Sequence, residues 1–312
     1  MPRIYIAGHR GMVGNALCRT AKNRGFDDII TRKHQELDLL DSQAVDSFFS
    51  AEKPDWVFLA AAKVGGIYAN NTYRADFLLE NMKIQNNIIE SSYKNDVKKL
   101  LFLGSSCIYP KNAPQPIKET DLLTSELEST NEPYAIAKIA GIKLCGAFNE
   151  QYGTNYISVM PSNLYGIGDN YHKENAHVLP MLLRRFHEAK INLDTSVSVW
   201  GTGRPRREFL FADDMAEACF HLMENYNYRE IGELINIGTG EDISILDLAK
   251  MVKEVVGFDG EIIFDSSRKD GTMLKRMDVT RLNKLGWKFT TPLEEGVRKS
   301  YSDFLNNPDI RK

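Results

Sequence analysis

The sequence predicts an α/β fold: a Rossmann-like doubly wound parallel sheet with a smaller, discontinuous C-terminal substrate lobe. Three observations predict it. Short, almost uninterrupted apolar runs alternate with helical segments through the first half of the 312 residues, and strands apolar on both faces belong to parallel sheets covered by helices. A glycine triplet, Gly8-x-x-Gly11-x-x-Gly14, falls between the first apolar run and the first helical segment, where a parallel sheet binds phosphate. In the second half the alternation breaks into pieces carrying Trp, Arg, Gly and Pro, the pattern of a lobe assembled from short segments. Residues 1–165 are expected to form the dinucleotide-binding domain, with returns near 197–238, and residues 166–312 mainly the substrate lobe.

In chain order, RIYIAG (Arg3–Gly8) reads as the first strand and GNALCRTAKNRG as a helix ending at Gly25. DIITR (Asp28–Arg32) is a second strand, and SQAVDSFFSAEK a helix stopped by Pro54, whose ring cannot continue it. WVFLAAA (Trp56–Ala62) gives a third strand, Asp76–Asn95 a long helix, KKLLFLGS (Lys98–Ser105) a fourth strand and Glu132–Tyr152 another helix. YISVM (Tyr156–Met160) and ELINIG (Glu233–Gly238) have the apolar continuity of two further sheet strands.

The composition narrows the function. A net charge of -3 calls for neither nucleic acid nor an anionic membrane. The longest apolar runs are too short to span a bilayer, and the N-terminus shows no secretory pattern. Cys18, Cys107, Cys145 and Cys219 lie far apart with no C-x-x-C pair, which reads as a reduced, cytoplasmic protein without structural zinc. His172 and His177 have no nearby cysteine or third histidine to complete a metal site.

The glycine triplet suits a dinucleotide, because glycines permit the tight turn, let amides approach a pyrophosphate and let the helix pack on the strand. An NAD site usually places Asp or Glu at the end of the second strand. Here Thr31, Arg32 and Lys33 stand there, and Arg10 sits in the glycine loop. A guanidinium suits a 2′-phosphate, so NADP is the expected cofactor; the plain alternative makes Arg32 and Lys33 solvated loop charges. Which of Arg32 and Arg10 is the main contact stays open, and Asp38 could reach the adenine edge.

Residues four apart on a helix face the same way, so Tyr134 and Lys138 of YAIAK can set a proton donor beside a cation, though the same spacing is common on plain helix surface. Here the pair follows a dinucleotide fold and a strand ending in GSSCIY, with Ser105. This order of parts resembles the extended short-chain dehydrogenase/reductase family. AAAKVGGIYANNTYRADF, FLGSSCIYPKNAPQPIKE, EPYAIAKIAGIKLC, VMPSNLYGIGDN, LLRRFHEA and REFLFADDMA together look like that family's GDP-sugar epimerase/reductases, from Ile4 to beyond Trp287.

The resemblance implies a reaction: epimerisation of GDP-4-keto-6-deoxy-D-mannose at carbons 3 and 5, then NADPH-dependent reduction at carbon 4, giving GDP-L-fucose. It implies that Tyr134 exchanges the proton and that Lys138 holds the ribose and lowers the tyrosine pKa from about 10. Ser105 would donate to the reacting oxygen, with Cys107 as base and His177 as acid. Without the resemblance, a lone strand-end cysteine is usually a small buried hydrophobe and a lone histidine a loop residue. The implied cofactor contacts are Gly8, His9, Arg10, Gly11, Met12, Val13, Gly14, Arg32, Asp38, Leu103, Gly104, Ser105, Ser106, Lys138, Pro161, Ser162, Asn163, Leu164 and His177. Arg185, Trp200, Arg207 and Asp270 would contact the nucleotide sugar, with KDGT (Lys269–Thr272) as a loop closing on the base; Arg204 and Arg206 read more as surface charges. A homodimer through Asp76–Asn95 and Glu132–Tyr152 is expected. Rival readings are an NAD-holding 4-epimerase or dehydratase of the same family, and a non-catalytic dinucleotide sensor, a class that can lack the Tyr/Lys pair.

Overall fold

The computed structural model describes residues 1–173, 176–268, 270–307 and 310, without the side chains of residues 67 and 68; Lys269, where the expected base-closing loop begins, lies outside them. The chain runs β1 (Ile4–Ala7), α1 (Met12–Asn23), β2 (Ile29–Ile30), α2 (Ser42–Glu52), β3 (Trp56–Leu59), α3 (Ile67–Thr72), α4 (Arg74–Lys94), β4 (Lys99–Leu103), α5 (Glu132–Tyr152) and β5 (Tyr156–Pro161). It continues with β6 (Asn163–Tyr165), α6 (Val178–Asn192), β7 (Ser196–Trp200), β8 (Arg206–Arg207), β9 (Phe209–Phe211), α7 (Ala212–Asn225), α8 (Tyr228–Ile231) and β10 (Ile235–Ile237). The remainder is β11 (Ile243–Ser244), α9 (Ile245–Val256), β12 (Glu261–Asp265), β13 (Leu274–Lys275), α10 (Thr280–Lys284) and α11 (Leu293–Asn306).

One six-stranded sheet has the order β10-β5-β4-β3-β1-β2, every neighbour pair parallel. The chain leaves β1 toward β2 and returns to β3 on the other side, so a crevice opens at the carboxyl ends of β1 and β3, where doubly wound sheets bind ligands. Ala16, Leu17, Met215 and Phe220 from α1 and α7 fill one face, and Val45, Phe49, Ile88, Ile89 and Ile142 from α2, α4 and α5 fill the other. A third core, with Leu182 and Phe186 of α6, Leu248 and Val252 of α9, and Val297 and Phe304 of α11, backs the paired β7 and β12.

Local chemistry sets the element ends. Asp41 accepts from the Gln43 and Ala44 amides at 2.9 and 3.0 Å, a cap that contributes about 1 kcal/mol. Lys53 turns left-handed at φ 47° just before Pro54, and α2 stops there. The first helix starts at Met12 rather than at Gly14, so Gly14 lies inside it and Gly11 is its N-cap. The second strand shrinks to Ile29–Ile30.

The close fit of α5 on β4 depends on Gly141. A Cβ there would stand 2.4 Å from Phe102 Cζ and 2.9 Å from Gln85 Oε1, while Gln85 Nε2 donates to the Ala137 carbonyl at 2.7 Å. Alanine raises helix propensity by about 0.8–1 kcal/mol, but overpacking a buried contact costs about 1–3 kcal/mol. Gly141→Ala is therefore expected to lower unfolding free energy in urea titration. A stabilised variant would contradict the tight fit.

Candidate active site

The glycine turn lies at the topological switch point. Gly8 has φ +87°, and a Cβ on it would come within 2.7 Å of the Ala61 nitrogen beyond β3. A Cβ on Gly14 would stand 2.1 Å from the Gly8 carbonyl oxygen, so the turn and the helix meet here glycine to glycine. Gly11 has nothing closer than 3.5 Å. The free amides of the first turn of α1, with Met12 and Val13 leading it, therefore face a cradle that a pyrophosphate fits.

The two arginines beside this cradle differ. Arg32 donates to the Thr31 carbonyl at 2.8 Å, pairs with Glu52 and lies 5.4 Å from the Phe48 ring centroid. Glu52 also receives Arg3 at 2.8 Å. Arg10 is exposed and has no hydrogen-bond or ion-pair partner among the described residues. Burial, then the Arg10 charge, lowers the His9 pKa. Asp38 accepts from the Leu40 amide at 3.0 Å, holding its own turn.

The end of β4 brings the predicted catalytic residues together. Gly104 is as tight as Gly141, since a Cβ would meet Met160 Cε at 2.2 Å. Ser105 caps the short turn Ser106–Ile108, its hydroxyl accepting from the Cys107 amide at 3.4 Å. Tyr134 and Lys138 face this turn from the first half of α5. Lys138 is 4% exposed; its Nζ donates to the Leu103 carbonyl at 2.7 Å and lies 4.9 Å from the Phe102 and 5.8 Å from the Tyr134 ring centroids. Burial pushes Lys138 down to about 8, with the nearby Cys107 opposing.

Tyr134 differs from the sequence expectation. Burial pushes its phenol well above the usual range, and a Cys107 charge would push it further. The cation at Lys138 does not offset that desolvation, so the phenol stays protonated, the form a proton donor requires. Between β5 and β6, Ser162 donates its amide to the Ile237 carbonyl at 2.9 Å, and its buried hydroxyl oxygen has no partner among the described residues. Pro161 ends β5, Leu164 pairs with Leu210, and Asn163 Nδ2 donates to the Glu208 carbonyl at 2.7 Å.

Lys275, which sequence reasoning missed, links the base and acid candidates. Burial raises the Cys107 thiol pKa, and Lys275 is the largest influence pulling it back. His177 is the N-cap of α6; although the residue reaches solvent, crowding by protein lowers its imidazole pKa first and Lys275 second. Both shifts favour the neutral forms, a thiol and an uncharged imidazole. Lys275 had no signal in the sequence because it lies on a two-residue strand, where it pairs with Arg207 of β8.

The remaining predicted residues form an outer rim. Arg185 lies 4.8 Å from the Trp200 ring centroid and donates to the Ser198 carbonyl at 3.2 Å; Trp200 is 51% exposed. Arg207 holds the Thr272 carbonyl at 2.5 Å. Asp270 accepts from the Thr202 amide and hydroxyl at 2.9 and 2.7 Å, tying the 270–272 loop to the turn after β7. Arg206 is a surface ion pair with Asp242, and Arg204 is exposed.

Removing the Lys275 charge should raise both neighbouring pKa values, because a cation disfavours a protonated imidazole and favours a thiolate. In Lys275→Met the NMR titration of His177 and the pH dependence of Cys107 alkylation should both move to higher pH. Unmoved curves would contradict the proposed proximity of the three groups.

Residues 4–238 match the family described as the NAD dependent epimerase/dehydratase family. The chain is 56% identical over 313 residues to GDP-L-fucose synthase of Escherichia coli (strain K12), covering 98% of each. A GDP-mannoheptose C4 reductase from Campylobacter jejuni with NADP bound superposes with TM-score 0.90 at 43% identity, over 97% of this chain and 98% of that one. A GDP-L-fucose synthetase from Naegleria fowleri bound to NADP gives 0.91 at 31% identity, over 99% and 94%. With its glycine cradle at the β1/β3 switch point and its serine, tyrosine and lysine gathered at the end of β4, the chain belongs to the NAD dependent epimerase/dehydratase family.

Proposed function

We propose that the protein is a GDP-L-fucose synthase: it inverts carbons 3 and 5 of GDP-4-keto-6-deoxy-D-mannose and reduces the carbon-4 ketone with NADPH. One observation carries the reading: a thiol, a phenol and a buried ammonium share a single pocket at the end of β4. A plain 4-reductase needs the phenol and ammonium but has no use for a base beside them.

The residues present fit the cofactor: Gly8 and Gly14 leave no room for side chains, and Lys138 has donors beyond the one given to Leu103. NADPH, when bound, supplies the hydride to carbon 4. Arg10, free of other partners, would hold the 2′-phosphate, with Arg32 secondary because Glu52 already engages it.

The C4 ketone acidifies the protons on carbons 3 and 5. Cys107, as thiolate, takes such a proton, while Ser105 and Tyr134 hydroxyls donate to the oxygen that gains the charge. His177, once protonated, returns a proton to the opposite face and completes the inversion. Since the resting pocket favours thiol and neutral imidazole, the active pair is formed by moving one proton between them. In the reduction Tyr134 gives its proton to the carbon-4 oxygen. Lys138 holds the ribose and supports the phenolate left behind.

Arg185, Arg207 and Lys275 supply cations for the diphosphate, Trp200 a stacking face, and Asp270 holds the rim closed. Residues 1–165, with returns near 197–238, form the cofactor half, and 166–312 mainly the substrate half. Exposed Leu79 and Ile136, and the Tyr93–Tyr152 stack at 4.4 Å, lie on α4 and α5 and support a homodimer through those helices. No described helix is long and apolar enough to cross a membrane, which fits a cytoplasmic enzyme.

Cys107→Ser and Tyr134→Phe should separate the two chemistries. In heavy water without NADPH, the parent should exchange the protons on carbons 3 and 5, and Cys107→Ser should do so about 100-fold or more slowly, the scale of general-base removal. Tyr134→Phe should slow reduction by about two to four orders of magnitude with NADPH affinity little changed. Parental exchange in Cys107→Ser, read by NMR or mass spectrometry, would remove the thiol from the mechanism.

The cofactor assignment has its own test. Arg10→Ala should weaken NADPH about tenfold or more, the loss of a charge-assisted hydrogen bond, and leave NADH nearly unchanged. Arg32→Ala should weaken NADPH less. Equal steady-state kinetics with NADPH and NADH in the parent would contradict a 2′-phosphate site.

A further inference from the structure

Between the cations of the substrate rim lies a carboxylate to which the reaction assigns no part. Glu208 follows Arg207, is 0% exposed and has no ion-pair partner among the described residues. Burial pushes its carboxyl pKa up, and the amides it accepts from pull it back. Oε1 accepts from the Thr239 and Gly240 amides at 2.6 and 3.0 Å, and Oε2 from the Met277 amide at 2.6 Å.

Those two oxygens reach two different parts of the molecule. Thr239 and Gly240 lie two and three residues beyond β10 (Ile235–Ile237), the edge strand of the central sheet. Met277 lies two residues beyond β13, which carries Lys275. The main chain of Glu208 adds two more ties: its amide donates to the Lys275 carbonyl at 3.3 Å, and its carbonyl receives Asn163 Nδ2 at 2.7 Å. A Cβ on Gly238 would stand 2.0 Å from Oε1, so the sheet end is shaped around this carboxylate.

We propose that Glu208 is a positioning residue: its carboxylate locks the strand bearing Lys275, and with it the Arg207–Lys275 pair, to the end of the central sheet, holding the diphosphate cations in register with the reacting carbonyl. The inference rests on the GDP-sugar reading of the site. A buried anion without a cation is costly, and a buried apolar side chain could supply packing alone. What only a carboxylate supplies is two acceptors, one for each segment. Glutamine has one acceptor and one donor, so it can satisfy the sheet end or the β13 side but not both.

The test is a cycle read by calorimetry with GDP and with NADPH as separate probes. Glu208→Gln should weaken GDP about tenfold or more, as an unpaired buried donor demands, with NADPH affinity within about twofold. In an Arg207→Ala/Lys275→Met background the same change should alter GDP affinity less than about twofold, because coupled residues are non-additive. Gly238→Ala presses on Oε1 with Glu208 intact and should reproduce the GDP-selective loss, which keeps the test alive should Glu208→Gln fail to fold. Parental GDP affinity in either folded variant, or equal losses in both backgrounds, overturns the inference. Turnover of GDP-4-keto-6-deoxy-D-mannose by the parent checks the underlying reading separately: a parent that turns over, with Glu208→Gln binding GDP normally, sinks this inference alone.

Discussion

The site depends on burying one ammonium group. Lys138 is nearly inaccessible and its Nζ donates to the carbonyl that ends β4. A buried cation is tolerable only where its donors find acceptors, and here the Leu103 carbonyl supplies one. Gly141, one turn later, lets α5 approach β4 closely enough for that bond. Gln85 of α4 secures the Ala137 carbonyl from behind, and Asn81 of α4 fastens the segment after β3, accepting from the Lys63 amide at 2.9 Å. Tyr134 takes its place from the same helix as Lys138.

The same burial decides the proton inventory. Desolvation keeps the Tyr134 phenol loaded and brings Lys138 down to about 8. It also favours neutral forms of Cys107 and His177. Apart from the Lys138 ammonium, the groups of this site rest in their neutral forms. In the mechanism proposed above, Ser105 and Tyr134 are the donors to the carbonyl oxygen as it gains charge. Using one set of oxygen-directed donors for the enolate and for the developing alkoxide lets a single carbonyl position serve both inversions and the reduction.

Much of this was legible in the sequence. The helix expected at Glu132–Tyr152 has those bounds, and Tyr156–Met160 and Glu233–Gly238 do yield strands of the central sheet. These elements are long or strongly apolar, so their periodicity dominates local noise. The small strands β6, β8, β9, β11 and β13 span two or three residues each, too few for any period, and they carry or flank Lys275 and Glu208. Those residues were invisible because their partners are distant: Glu208 meets Met277 across 69 positions. The pairing of Arg32 with Glu52, twenty positions away, is hidden from the sequence for a related reason. The upward push on the Tyr134 phenol was not legible either, because spacing reports neighbours but not desolvation.

The central claim is that one pocket performs inversion and reduction on the same ketone. Its most direct measurement is the isotopic map of the product formed from GDP-4-keto-6-deoxy-D-mannose and NADPH in heavy water. The account predicts GDP-L-fucose with deuterium on carbons 3 and 5 and protium on carbon 4. A 6-deoxy sugar reduced at carbon 4 but carrying protium at both carbons 3 and 5 would contradict it, and would leave Cys107 and His177 without a part in the chemistry.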